Sequence, residues 1–189
     1  MKELKPAILM LLLFTCICGG LYPAVVTGLA QLAFPFQANG SLMTDATGRA
    51  VGSTLIGQPF SDPRYLWPRP SATAAFAYNP MASGGSNLSP AAPVYQKTID
   101  ERLDRLHAAR INGSIAADLL QASGSGLDPH ISPQAAGVQI PRIARARHMR
   151  EEKVAAIIAA HQQDRQFGFL GAPRVNVLAV NLALEAISP

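Results

Sequence analysis

The chain has 189 residues, of which 49% are hydrophobic and only 15% are charged, and its formal net charge is +4. This length fits one ordinary domain with an appendage, and soluble domains usually carry roughly 25% charged residues. The hydrophobic content excludes a disordered chain, and the two cysteines, Cys16 and Cys18, lie too close in sequence to staple a domain. The modest charge forms no platform for nucleic acid, so we expect no nucleic-acid partner.

An apolar segment near the N-terminus is the main source of the hydrophobic excess. Residues 6–44 contain no charged side chain. As a helix, residues 7–30 would span roughly 36 Å, against a hydrocarbon core of about 30 Å. We therefore predict one transmembrane helix over residues 7–30, because a helix satisfies its own backbone polar groups in lipid. Lys2 and Lys5 favour a cytoplasmic N-terminus over residues 1–6, which would place residues 31–189 outside the cytoplasm.

A cleavable signal peptide is the alternative interpretation of this segment. Lys2 and Lys5 would form its positive region, residues 7–18 its apolar region, and Gly28-Leu29-Ala30 a weak cleavage site. The apolar character resumes after Gly20 and continues to residue 36, which favours the span. Under this alternative, the signal peptide would be removed and the chain would be an exported hydrolase.

One face of the predicted span carries small residues at a spacing of four: Cys16, Gly20, Ala24 and Gly28. Residues at this spacing stack on one side of a helix. Small side chains there let another helix approach closely, and packing is what holds helices together in lipid. We predict that this face meets a partner helix and that Pro23 kinks the span.

The first part of the following chain contains strand-like and turn-like pieces at residues 55–57 and 65–73. A helix is predicted over about 94–110, because Tyr95, Ile99, Leu103 and Leu106 form one apolar stripe.

Further along, Ser132 is predicted to cap a helix that has Pro133 at its first position and is either kinked or divided by Pro141. Another helix is predicted over about 151–163, and the β-branched run at 174–184 predicts a strand that turns into a final short element. Helices and strands mix without a regular βαβ repeat. The predicted fold class is therefore α+β: one N-terminal transmembrane helix followed by a single mixed extracytoplasmic domain at 31–189.

Two turns rich in glycine and serine interrupt this domain. The first, Ser83-Gly84-Gly85-Ser86, lies in the uncharged stretch 70–96 and offers backbone N–H groups to an anion, which makes it a candidate nucleotide contact. A purely structural turn is the other interpretation. The second turn, at 123–126, precedes Asp128, which would repel a phosphate and is expected to pair with Arg142 or Arg145.

No catalytic constellation is recognisable, and we predict no catalytic residue and no metal site. The four histidines, 107, 130, 148 and 161, lack metal-ligand spacing, and no Gly-Lys pair exists to form a phosphate-binding P-loop. The basic run of Arg142, Arg145, Arg147 and Arg150 could face phosphates or an acidic partner surface. The favoured interpretation is a solvated helix face with one structural salt bridge.

Taken together, these motifs resemble the C subunit of the Kdp-type high-affinity potassium-transporting ATPases of prokaryotes. The matching pieces follow one another over nearly the whole chain. They are residues 19–23, 37–42, 52–53, 55–58, 69–73, 78–80, 82–87, 123–136, Gln139, 141–142, Ala144, 146–147, 175–176 and 181–184. Each is weak alone, and their number and order make the resemblance specific.

The resemblance implies a non-catalytic, single-pass subunit of the prokaryotic plasma (inner) membrane, embedded in the lipid bilayer. Its partners would be a potassium-conducting subunit, a P-type subunit that hydrolyses ATP, and a very small single-span subunit. It would be needed for assembly and would act as a catalytic chaperone that raises the ATP affinity of the hydrolysing subunit. It would have no cofactor of its own, and the alternative is a regulatory subunit that shares ATP with the hydrolysing subunit through Ser83–Ser86.

Overall fold

The computed structural model describes residues 3–45 and 47–187. These residues divide into two compact units, with the division after Leu42. Helices and short strands are mixed, so the α+β class predicted from the sequence is confirmed. Each unit is described by itself below.

The first unit is dominated by one long apolar helix. Helix α1 (Leu4–Cys16) continues through a π-helical turn (Ile17–Leu21) into α2 (Tyr22–Ala33), and the short α3 (Pro35–Ala38) follows. The 30 residues from Leu4 to Ala33 are long and apolar enough to cross a membrane, and none of their most apolar stretch is buried. The structure thus contains the single candidate span that the sequence predicts.

The π turn ends directly before Tyr22 and Pro23. Proline lacks an N–H group, and its ring crowds the carbonyl group four residues earlier, here that of Gly19. A π turn is a common way for a helix to absorb such a break. The sequence predicts a kink at Pro23. In the structure the helix changes from α-helical to π-helical geometry over the turn before this proline.

Among the described residues, the second unit, together with Leu42 at its boundary, contains two small sheets and five helices. Strands β1 (Leu42–Thr44) and β2 (Ala50–Ser53) pair in one sheet, and the other has the antiparallel order β3-β5-β4, with Val175 opposite both Ile131 and Gln162. The remaining elements are α4 (Pro93–Ala108), β3 (His130–Ile131), α5 (Pro133–Gly137), α6 (Ile140–Ala146), α7 (Glu151–Ala160), β4 (Gln162–Gln163), β5 (Arg174–Asn176) and α8 (Val177–Ile187), with 3₁₀ turns at Pro80–Ala82 and Ala117–Leu119.

Capping side chains and prolines determine where several of these helices begin. The Ser132 hydroxyl accepts a hydrogen bond from the Ala135 N–H at 3.0 Å, so the predicted cap of α5 is confirmed. Helix α6 has Pro141 in its first turn, and the predicted division from α5 is also confirmed. The β-branched run, in contrast, leaves the sheet after Asn176, whose side-chain oxygen accepts from the Ala179 N–H at 3.0 Å and caps α8. The final element is therefore longer than predicted.

Of the strand-like and turn-like pieces predicted at 55–57 and 65–73, the structure contains a turn that includes Leu55 and gives neither stretch a strand assignment. Side-chain amides replace a neighbouring strand for the stretch around Leu66 and Trp67. Asn181 accepts from the Leu66 N–H (2.7 Å) and donates to the Leu66 carbonyl (3.0 Å). Gln139 does the same for Trp67, at 2.8 and 3.1 Å. We call these two paired contacts the amide clamp.

The hydrophobic core lies among the amide clamp, the three-stranded sheet and helices α6, α7 and α8. Its fully buried side chains include Leu66, Ile143, Val154, Val175 and Leu184. Each fully buried aliphatic side chain contributes about 1.5–3 kcal/mol relative to an exposed one. This core holds the clamped segment in place and positions the loops described next.

Candidate functional site

The small-residue face of the long helix is open within its own unit. Cys16, Gly20, Ala24 and Gly28 are all exposed, and a Cβ atom added to either glycine would meet no atom within 4 Å. The face therefore has room for a closely approaching helix, as small-residue faces in membranes do. Its use by a partner stays a prediction.

The two Gly/Ser turns, far apart in sequence, contact each other. The Gly84 N–H donates to the Ser125 carbonyl at 2.9 Å, and the Ser83 hydroxyl donates to the same oxygen at 3.1 Å. A Cβ atom on Gly126, which has φ +68°, would collide with Thr73 and with the Gly84 carbonyl. Two donors of the candidate nucleotide contact are thus used inside the chain. Nucleotide binding at Ser83, Gly84, Gly85 and Ser86 stays a prediction.

Next to the second turn, Asp128 forms a compact polar cluster. Its carboxylate accepts from Arg69 Nη1 at 2.9 Å and from the His130 N–H at 3.0 Å, and His130 Nδ1 lies 3.4 Å away. Burial alone would raise the pKa of Asp128, but the hydrogen bonds from His130 and Arg69 outweigh it and lower this pKa to about 2. The predicted pairing of Asp128 with Arg142 or Arg145 is wrong. Its partner, Arg69, is 59 residues earlier.

Tyr78 ties the same cluster to the start of the uncharged stretch. Its hydroxyl donates to the Arg69 carbonyl, and its N–H donates to the Ser71 hydroxyl at 2.8 Å. Burial raises the pKa of the Tyr78 phenol. The ring lies so close to Gly57 that a Cβ atom there would overlap it. Residues 69–79 therefore form a fixed loop.

The prediction that the basic run is a solvated helix face is only partly right, because the side chains of Arg142 and Arg147 are buried. Arg142 is buried and donates to the carbonyls of Pro63 (2.6 Å) and Tyr65 (2.9 Å) and to Gln139 Oε1 (2.6 Å), which braces the amide clamp. Burial lowers the pKa of Arg142 to about 10. Arg147, whose side chain is only 3% exposed, makes a salt bridge with Glu185 at 2.9 Å. An arginine pattern alone does not distinguish buried donors from solvated ones.

A cavity of about 320 Å³ lies beside the clamped segment, between residues 59–71 and α4. Its walls include Trp67 and three arginines, Arg69, Arg102 and Arg105, and we call it the arginine pocket. The Arg105 guanidinium lies 5.2 Å from the centre of the Trp67 ring, and that of Arg142 lies 4.1 Å from it. Sequence reasoning missed this pocket, because its residues are separated by up to 60 positions and match no motif.

The uncharged stretch also presents apolar side chains to solvent. Phe76 is 61% exposed, Met81 is 95% exposed and Val94 is 55% exposed. These three side chains lie within 19 residues of the sequence. Exposed apolar patches are typical of surfaces that another protein or a membrane covers.

Within residues 3–45 and 47–187, no group of three His, Cys, Asp or Glu side chains is placed to hold a metal ion. The described part of the chain offers exposed apolar side chains, a pocket lined by three arginines and a candidate membrane helix.

Comparison with known proteins is consistent with these features. The model of the family "KdpC: K+-transporting ATPase, c chain" matches residues 4–186. The chain is 68% identical to the potassium-transporting ATPase KdpC subunit of Geobacter sulfurreducens and 60% identical to that of Geobacter metallireducens, over 100% of each chain. It is 53% identical to the same subunit of Methylococcus capsulatus, over 98% of both chains. The resemblance seen in the sequence motifs is thereby confirmed, and the chain belongs to the KdpC family, the c chain of potassium-transporting ATPases.

Proposed function

We propose that this chain is the non-hydrolysing assembly subunit of an ATP-driven, high-affinity potassium uptake complex. The observation that carries this is the family match over residues 4–186, which covers both the apolar helix and the domain after it. Its partners are a potassium-conducting subunit, a P-type subunit that hydrolyses ATP and a very small single-span subunit.

The proposed topology is a single pass through the prokaryotic plasma (inner) membrane. Lys2 and Lys5 hold residues 1–6 in the cytoplasm, residues 7–30 span the bilayer, and residues 31–189 form the domain outside. Support comes from the uninterrupted apolar helix, whose most apolar stretch is wholly exposed.

The proposed role of the domain is to cover the external potassium entrance of the conducting subunit. The exposed side chains of Phe76, Met81 and Val94 support this, because they lie in a stretch without charge. Such a surface loses little solvation energy when another protein covers it.

We further propose that the subunit raises the ATP affinity of the hydrolysing subunit as a catalytic chaperone, through subunit contacts. The second candidate is direct nucleotide contact through Ser83–Ser86. One observation favours the indirect route: Gly84 and Ser83 already donate to the Ser125 carbonyl. The proposed topology, if it holds, would also separate the turn from cytoplasmic ATP.

The assembly role is tested by co-purification and growth. We expect the full chain, tagged and extracted in mild detergent, to bring the potassium-conducting and ATP-hydrolysing subunits with it. We also expect a deletion strain to grow poorly at limiting potassium and normally at high potassium. Recovery of the chain alone, with normal growth of the deletion strain at limiting potassium, would refute the proposal.

The topology is tested by cysteine labelling in intact cells. In a background with Cys16 and Cys18 replaced by alanine, Asp164→Cys, at an exposed site outside the uncharged stretch, should react with an impermeant maleimide, whereas Glu3→Cys should react only after lysis. The opposite pattern would place the domain in the cytoplasm and would favour direct nucleotide contact.

A further inference from the structure

The arginine pocket carries positive charge without a balancing acid on its walls. Of its lining residues, three are arginines, and no aspartate or glutamate is among those that the structure describes there. Arg69 is neutralised by Asp128 from outside the pocket. Arg102 and Arg105 remain as two cations on the α4 wall.

Neither of these two cations has an ion pair among the described residues. Arg102 donates to the neutral Leu120 carbonyl at 2.5 Å, and Arg105 lies against the face of Trp67. Burial lowers the pKa of Arg102, as expected for a partly dehydrated cation that no acid compensates. In addition, Arg69 Nε is buried without a hydrogen-bond partner in the described part of the chain. The pocket therefore favours an incoming anion.

Apart from Ser61 and Ser71, the other walls are mainly apolar, and they favour an anion with a carbon stem over a bare inorganic anion. Phe60, Trp67, Tyr78 and three prolines, Pro59, Pro68 and Pro70, line the cavity. A small inorganic anion gains little from such walls, because it keeps its hydration shell. A carboxylate on a carbon stem satisfies both the cations and the apolar walls, and arginine forms paired hydrogen bonds with carboxylates. Tryptophan, tyrosine and arginine also dominate the binding energy of protein interfaces.

We propose that the arginine pocket receives an aspartate or glutamate side chain from a partner subunit. This inference rests on the proposed assembly role, since it requires a partner beside the domain. The pocket wall includes Ala77 and Tyr78, which continue into the exposed apolar groups of the uncharged stretch. A partner that covers this stretch would thus bring its chain to the pocket. Its tethered carboxylate would meet the arginines at high effective concentration.

Zero-length cross-linking in the intact complex tests the proposal. Arg105→Lys places an amine in the pocket, and a carbodiimide joins an amine to a carboxylate only when the two are in contact. We expect an amide bond between the introduced lysine and an acidic residue of a partner subunit, identified by mass spectrometry. Lys97 of the same helix, outside the pocket, is the built-in control and should form no such link.

Charge reversal provides the second readout. Arg105→Glu should reduce recovery of the partner subunits about tenfold in moderate salt, whereas Lys97→Glu should leave it within about twofold. Far-UV circular dichroism of the purified variants checks that both fold.

Two results would overturn the proposal while the complex itself assembles. One is a cross-link from the introduced lysine only to acids of this chain or to nothing. The other is undiminished recovery of the partners by Arg105→Glu. Failure of the wild-type chain to recover any partner is a different result, and it would refute the assembly role itself.

Discussion

The apolar helix Leu4–Ala33 and the domain at 43–187 differ in which side chains they expose and which they bury. In the helix, large apolar side chains such as Leu11 and Leu29 are exposed, and backbone hydrogen bonds are local. In the domain, polar side chains such as Gln139 and Asn181 are buried and hold backbone groups from distant parts of the chain. The helix exposes apolar side chains that lipid or other chains would have to cover, whereas the domain buries a hydrophobic core of its own.

The largest effect should come from Gln139→Leu, which removes one half of the amide clamp. The substitution keeps side-chain volume but leaves the Trp67 N–H and carbonyl groups and one Arg142 donor unpaired in a fully buried site. Each buried unsatisfied group costs about 1–3 kcal/mol, so we expect a loss of about 4 kcal/mol in the free energy of unfolding. Denaturant unfolding of the full chain in mild detergent, followed by the fluorescence of the single tryptophan, measures this loss.

The control for this variant is Gln134→Leu, at an exposed site on the neighbouring helix α5, which should change stability by less than about 0.5 kcal/mol. Equal losses in the two variants would show that the clamp does not hold the segment.

A smaller loss, about 2 kcal/mol, is expected for Gly57→Ala. The new methyl group would overlap the Tyr78 ring and approach the Asp128 carbonyl oxygen, so loop 69–79 must shift. Gly137→Ala is the matched substitution in open space within α5, where alanine should stabilise the chain by about 0.5–1 kcal/mol. The same unfolding measurement compares them, and a neutral Gly57→Ala would mean that the loop is not fixed by this contact.

Protonation of Asp128 at low pH should lower the free energy of unfolding by about 1 kcal/mol. Its folded pKa of about 2 lies below the ordinary value of 3.8, so its ion pair stabilises the domain fully above about pH 4. That stability is lost as the pH falls through the window from about 4 to about 2. The 1.8-unit shift would be worth about 2.5 kcal/mol, and partial exposure reduces the expected effect.

Asp128→Asn should lower stability at pH 6 and flatten its decline below pH 4, whereas Asp104→Asn, at an exposed site on α4, should preserve the decline. Unfolding curves between pH 6 and pH 2 decide this, and identical pH profiles in both variants would count against the Asp128 cluster.

The smallest effect on the isolated chain is expected for Gly28→Leu. A Cβ atom at Gly28 meets nothing within 4 Å, so the free energy of unfolding should not change. Recovery of the partner subunits in detergent should nevertheless fall about fivefold, because a leucine blocks close helix approach. Thr27→Leu, one position away on another side of the helix, should recover them normally. Normal recovery with Gly28→Leu would mean that the face meets lipid.

Sequence reasoning succeeded where the signals are local and failed where the partners are distant. The apolar span, the Ser132 cap and the break at Pro141 each depend on a few adjacent residues, and the structure contains all three. The pairing of Asp128 with Arg69 and the clamping of Leu66 by Asn181 join residues 59 and 115 positions apart. No periodicity or motif records such contacts, because they follow from how the helices and loops close around the core.

The most direct test of the account is hydrogen exchange of the full chain alone and in the purified complex, in the same detergent. Peptides that cover Leu66 and Trp67 should exchange slowly and equally in both states, because the amide clamp already protects them. Peptides from residues 74–92 should exchange at least about tenfold more slowly in the complex, because a partner subunit is proposed to cover this stretch. Unchanged exchange at 74–92 in a complex shown to be intact would contradict the claim that the uncharged stretch is the assembly surface.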